Sequence, residues 1–340
     1  MKRPILVVLI GYIIGIVWEL YFKINIAPFA IILILMCFLD KKNKKVIIIL
    51  GIIFAIIVLI LFSIFFIVPI LIIICYSFMK NDLYGGVLKE FTLDAYRQMF
   101  SPEYGEIFLR TLWMTIIATF VSCAIAIPCG YAMARSRHQT LLLILVIIPF
   151  LTNSLIRIFA WMTILGEEGL LNSVCGFFAK AFFFVTQNKD GSFEPVQFMY
   201  TKGAVILVSI YMYLPYAILP VFTSIDRFDF TLLEAARDLG ASKPGAIFRV
   251  MLPGIKSGII SAIIFTFIPI FGNYTVPQII GSTESYMLGN TIMDQITKIG
   301  NLPLASAISV VLTFISMAAI LFMISSEKKE QNLKTVKKES

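Results

Sequence analysis

The stretch Glu234–Pro253, EAARDLGASKPGAIFRVMLP, is a short charged island in a chain that is 59% hydrophobic and only 14% charged. Its first turns read as a small amphipathic helix. Leu232, Leu233, Ala235, Ala236 and Leu239 supply apolar positions, and Glu234, Arg237 and Asp238 a polar rim. Gly240 stands where such a helix should be capped. Between two membrane spans, an island of this kind is either a solvated connector or a contact for a soluble partner. Which side of the membrane it occupies bears on that choice.

Apolar runs of 18 or more residues recur along the chain, and mean hydropathy is +0.92. The fold class expected is an all-α polytopic membrane protein. Continuous apolar blocks exclude a β-barrel, whose strands alternate with period two. The net charge of +8 comes from basic residues beside the spans, where they report orientation and contact with anionic headgroups rather than nucleic acid. Five scattered cysteines (Cys37, Cys75, Cys123, Cys129, Cys175) and one histidine, His138, supply neither a disulfide framework nor a metal site. No acid–base cluster or paired nucleophile stands within the spans, so an enzyme is not expected.

Eight spans are drawn: 4–21, 26–39, 46–78, 107–134, 141–165, 204–225, 258–280 and 304–325. The first follows Met1-Lys2-Arg3 with no small-residue cleavage site and is read as a retained span. The third, about 50 Å long at the helical rise, should tilt, start early or kink at Pro69. The fourth is expected to bend at Pro128. The cluster Lys41–Lys45, the loop Arg135–His138, the loop 226–257 and the tail 327–340 then fall on one side, so both termini and the charged island are expected in the cytoplasm.

Within the island, Glu234-Ala235-Ala236, Gly240 four residues on, and Val250, Leu252 and Pro253 at fixed gaps resemble the coupling loop of permease subunits in bacterial ATP-binding-cassette importers. The blocks FTLDAYRQMF, PFLTNSLIRIFAW, LLEAARDLGAS and LPGIKSGIISA are similar to those of the spermidine/putrescine permease family. The resemblance covers about residues 60–326. It implies a six-helix permease core (46–326) preceded by two extra transmembrane helices (1–45). It also implies that Glu234, Ala235, Ala236, Arg237, Asp238, Gly240, Leu252 and Pro253 couple to an ATPase. Small alanines would permit close approach there, and the charges would make hydrogen-bonded contacts. The partners implied are an ATPase dimer, a second permease, an extracytoplasmic binding protein and the lipid bilayer, in a bacterial cell membrane. The chain carries no GxxxxGK[ST] loop, so ATP is expected to be handled by the ATPase and no cofactor to be held here.

Polar residues inside spans mark candidate pathway positions. Asn153, Arg157 and Trp161 lie near Pro149, where they either hold the bundle together or line a passage. In FGNYTVPQ (271–278), glycine and proline predict a broken helix, which places Asn273, Tyr274 and Gln278 beside protein or water. Tyr211, Tyr213 and Tyr216 offer rings to a cation, or pack in the core or at the interface. The polyamine relatives tend to carry an acidic residue in this stretch, and this chain has Asn273 and Gln278. Glu167, Glu284 and Asp294 near the outer face are alternative carboxylates. The function expected is therefore a polyamine importer permease. The alternatives are a permease for another small polar or ionic solute, or an ion-coupled secondary transporter, which would want intramembrane carboxylates that spans four to eight do not offer.

Overall fold

The computed structural model describes residues 52, 56–82, 85–185 and 194–339. The two N-terminal spans expected at 4–21 and 26–39, with Cys37 and the lysine cluster, lie outside the described residues. Contacts divide the chain into two units at Ile73/Ile74. The expected boundary at 45/46 also falls outside the described residues.

The first unit, where described, is the apolar part of helix α1 (Ile56–Ser77). The expected disturbance near Pro69 takes the form of a π turn, Ser63–Ile67, closed by the Val68 amide on the Ser63 carbonyl. Pro69 has no N–H for the carbonyl of Phe65, so the ladder lengthens by one residue at that point.

The second unit begins with the end of α1. A hairpin of β1 (Met79–Asn81) and β2 (Val87–Phe91) follows, then a short helix α2 (Asp94–Met99). Its centre is α3 (Pro102–Ala134), α7 (Lys202–Asp226) and α10 (Lys256–Phe271), which pack on one another. On α3, Thr111, Thr115, Ala118, Ser122, Ala126 and Gly130 recur every three or four residues and are buried. Small residues on one stripe let helices approach closely, the means of association open to helices in lipid. A Cβ at Gly130 would lie 3.1 Å from Val221 Cγ1 and 3.2 Å from the Phe222 amide of α7. Pro128 is accommodated inside α3, and Pro215 and Pro220 inside α7.

The span expected as continuous over 141–165 is corrected by the structure. It is two helices, α4 (Gln139–Leu151) and α5 (Ser154–Leu165), and the chain turns by 90° between them. Pro149 removes one ladder donor, Thr152 is extended, and the Asn153 carboxamide oxygen accepts from the Leu155 amide at 2.8 Å to start α5. The segment after it contains helix α6 (Leu170–Val185). The span expected over 258–280 breaks as its glycine predicts: α10 ends at Phe271, and α11 (Thr275–Ile280) follows. The chain closes with α12 (Leu288–Asp294) and the long α13 (Leu302–Glu339), which runs without interruption through the expected start of a separate tail at 327. Among the described residues, four helices are long and apolar enough to cross a membrane, or up to six if each bent pair is one span.

The contact of α10 with α7 is tight at Gly258, where an added Cβ would collide with the Ser224 side chain and approach the Pro220 carbonyl. Gly258→Leu should therefore cost about 1–3 kcal/mol of stability. Thermal unfolding of the purified protein checks this, and an unchanged midpoint would show that the two helices can separate freely.

Candidate functional site

Two polar regions stand out. The first is the charged island. It forms α8 (Thr231–Asp238) and, after a turn, the segment α9 (Lys243–Gly254), which meets α10 at a bend of 74°. The entry to α8 is set by Asp229, whose carboxylate accepts from the Thr231 amide at 3.0 Å and from its hydroxyl at 2.7 Å. Those bonds hold the Asp229 carboxyl below its usual pKa.

The exit is a Schellman motif. Gly240 N–H donates to the Arg237 carbonyl and Ala241 N–H to the Ala236 carbonyl, with Gly240 at φ +91°. Leu239 is the cap residue, one place before the position the sequence suggested, and Gly240 is the left-handed residue after it. No atom lies within 4 Å of a Cβ placed on Gly240, so the demand for glycine comes from φ alone.

Burial divides the helix. Leu233 is buried, and Ala236 packs half-buried on the same core as Met251 and Ile255. Leu232, Ala235 and Leu239, spaced three and four residues apart, remain exposed, and Leu239 is 89% exposed. Of the two alanines expected to permit close approach, only Ala235 is on the open face. Glu234, Arg237 and Asp238 surround a recess of about 570 Å³ with Ala241, Ser242 and Lys243, and none of the three takes part in an ion pair among the described residues.

Leu252 packs half-buried against the core, and Pro253 is exposed. Together they shape the backbone, because Pro253 lacks an N–H for the Arg249 carbonyl. A π turn, Ile247–Met251, precedes them and closes through the Leu252 amide on the Ile247 carbonyl.

The second region is the pair of helix breaks. Helix α5 packs on α7 and on α11, so the candidates from spans five, six and seven lie on neighbouring elements. The ring of Trp161 meets that of Tyr211 edge-on at 5.4 Å. The Arg157 guanidinium sits 5.9 Å from the centre of the Phe150 ring, and its Nε is buried with no hydrogen-bond partner. Asn153 is exposed and spends its oxygen on the α5 cap.

At the second break, buried Asn273 spends its oxygen on the Thr275 and Val276 amides, leaving its Nδ2 unpartnered. Tyr274 and Gln278 are exposed. Of the alternative carboxylates, Asp294 pairs with Lys298 at 2.8 Å, which raises the lysine pKa, and Glu167 and Glu284 are exposed.

The structure adds residues that the sequence reading did not single out. Asn290, fully buried, donates from Nδ2 to the Tyr274 carbonyl at 2.9 Å and to Gln278 Oε1 at 3.1 Å. A cavity of about 470 Å³ between α7 and α10 brings the hydroxyl-bearing Thr223, Ser224, Ser257 and Ser261, none of them singled out by the sequence, beside the candidate Tyr216. Nothing in the local sequence separates Asn290 from an ordinary loop amide. The hydroxyls follow helical spacing on two helices, a signal visible only once those helices are paired.

Comparison with known proteins follows the same lines. The profile of the family "Binding-protein-dependent transport system inner membrane component" matches residues 108–328. The spermidine/putrescine transport system permease protein PotB of Escherichia coli K12 is 36% identical over 249 residues, 73% of this chain and 86% of that protein. The protein of the same name from Haemophilus influenzae is 34% identical over 272 residues, 78% and 90% of the two chains. Among solved structures, one chain of a bacterial alginate ABC transporter, in complex with alginate pentasaccharide-bound periplasmic protein, superposes with a TM-score of 0.64. It covers 83% of this chain and 94% of that one at 14% identity, a likeness of fold.

Gly240→Ala should strain the turn after α8 by about 1–2 kcal/mol, whereas Gly240→Asn, which tolerates the left-handed region, should lose less. Limited proteolysis of the loop reads the difference, and equal cleavage of both variants would contradict the assignment of the turn.

Proposed function

The chain belongs to the family of binding-protein-dependent transport system inner membrane components, and from that premise we propose that it is the permease subunit of an ATP-binding-cassette importer carrying polyamines, spermidine or putrescine, inward. The observation that carries the cargo is the 34–36% identity to spermidine/putrescine permeases along about three quarters of the chain. What supports the coupling role is the exposed face of α8, which combines apolar Leu232, Ala235 and Leu239 with the charges of Glu234, Arg237 and Asp238, in no ion pair among the described residues. Such a face suits a groove on a soluble partner, with apolar anchors inside and charge-assisted bonds at the rim.

In this reading a separate ATPase dimer docks at α8 from the cytoplasm, and Gly240, Leu252 and Pro253 hold the turn and the π turn that carry its movement into α10. A second permease completes the passage, and an extracytoplasmic binding protein delivers cargo to the opposite face. Both termini lie in the cytoplasm of a bacterial cell. The chain breaks no bond itself and holds no cofactor, ATP being hydrolysed by its partner. Trp161, Tyr211, Tyr274 and the hydroxyl-lined cavity offer the cargo rings and hydroxyls in place of carboxylates.

The test is ATP-driven uptake of spermidine by the reconstituted importer. Glu234→Lys should abolish uptake and leave insertion of the chain in the membrane unchanged. Uptake that follows an ion gradient without ATP would refute the class. A cognate binding protein that binds neither spermidine nor putrescine would refute the cargo.

A further inference from the structure

The second helix break exposes backbone that a cation could exploit. Unwound carbonyls in a membrane protein are acceptors able to replace a cation's hydration shell. Here those acceptors are covered. A Cβ placed on buried Gly289 would lie 2.9 Å from the Asn273 carbonyl oxygen and 3.0 Å from that of Gly272, so the α12 backbone presses directly on both. The next residue, Asn290, donates to Gln278 Oε1 and adds a second donor to the Tyr274 carbonyl, which already accepts the first ladder bond of α11 from the Gln278 amide.

The orientation of these amides is fixed by groups that cannot flip. Asn290 Oδ1 accepts from the Met287 backbone amide at 3.2 Å, and its Nδ2 faces the Tyr274 carbonyl. The atom of Gln278 that meets Nδ2 must therefore be its oxygen. This leaves Gln278 Nε2, on an exposed side chain, as the group presented outward.

Two buried donors lack partners among the described residues: Asn273 Nδ2 at this break, and Arg157 Nε on α5, the helix that packs on α11. No aspartate or glutamate occurs in α5, α10 or α11.

We propose that Asn290 is a specificity-determining positioning residue: with Gly289 it hides the acceptors of the break and turns Gln278 donor-outward, so that an ammonium group passes this junction without being held. This inference rests on the polyamine-importer reading. A cargo handed over at one face and released at the other gains nothing from a deep well on the way. A face of donors keeps that well shallow.

The test is equilibrium binding of labelled spermidine to the purified permease–ATPase complex, without its binding protein. Gln278→Glu keeps an oxygen on Asn290 and turns a carboxylate oxygen outward. It should tighten spermidine binding at least tenfold over the native complex and slow uptake. Asn290→Ala should also tighten binding, by less, and the gain should shrink when combined with Gln278→Ala, because part of it acts through that side chain. Should Asn290→Ala fail to assemble, the Gln278→Glu result decides alone. Unchanged binding in Gln278→Glu would overturn the inference while leaving the importer reading intact. Absence of spermidine uptake by the native importer would sink both.

Discussion

In a bilayer a helix cannot be interrupted unless the backbone groups it releases find partners within the protein. This constraint organises the second unit of the chain. Its two breaks, at Thr152–Asn153 and Gly272–Tyr274, are each closed by a carboxamide. Asn153 starts α5, Asn273 starts α11, and Asn290 ties the second break to α12. Without Asn273 and Asn290 the amides of buried Val276 and Met287 would lose these side-chain acceptors, at a cost of about 1–3 kcal/mol per group. The amides thus hold the turns that bring α5, α7 and α11 together, and with them Trp161, Tyr211 and Arg157.

The other half of the machine depends on proline and glycine. Pro253 withholds a donor and lengthens the preceding turn into a π turn; Gly240 adopts a left-handed conformation that ends α8. The result is a short helix fixed at both ends, by Asp229 on one side and a Schellman turn on the other. It is anchored to the core through Leu233 and Ala236. A helix held this way can transmit a push. The same anchoring leaves Leu232, Ala235 and Leu239 exposed, an arrangement that makes sense when a second protein covers them.

Much of this was legible in the sequence. The apolar blocks gave the all-helical class and, among the described residues, the spans near 46–78, 107–134, 204–225 and 304–325, and the charged island gave α8 because its apolar residues follow helical spacing and a glycine ends it. The break after Phe271 was legible from Gly272. The break in 141–165 was not, since Pro149 is also compatible with a bend, as Pro128, Pro215 and Pro220 inside intact helices show. What decided it was the Asn153 cap, a side-chain bond that periodicity does not report. Asn290 was illegible for a related reason: its role depends on a contact with Tyr274 and Gln278 that only the folded chain creates. Which alanine of the Glu-Ala-Ala motif faces outward likewise required the packing of α8 on the core.

The claim on which the account turns is that the exposed face of α8 is where a soluble ATPase docks. A single cysteine at Leu239, in a chain whose native cysteines have been replaced, can be labelled with a membrane-impermeant maleimide in inside-out vesicles. The account predicts rapid labelling in vesicles stripped of the ATPase, and protection when the ATPase is added back. Labelling from the extracytoplasmic side, or labelling that the ATPase leaves unchanged, would contradict it.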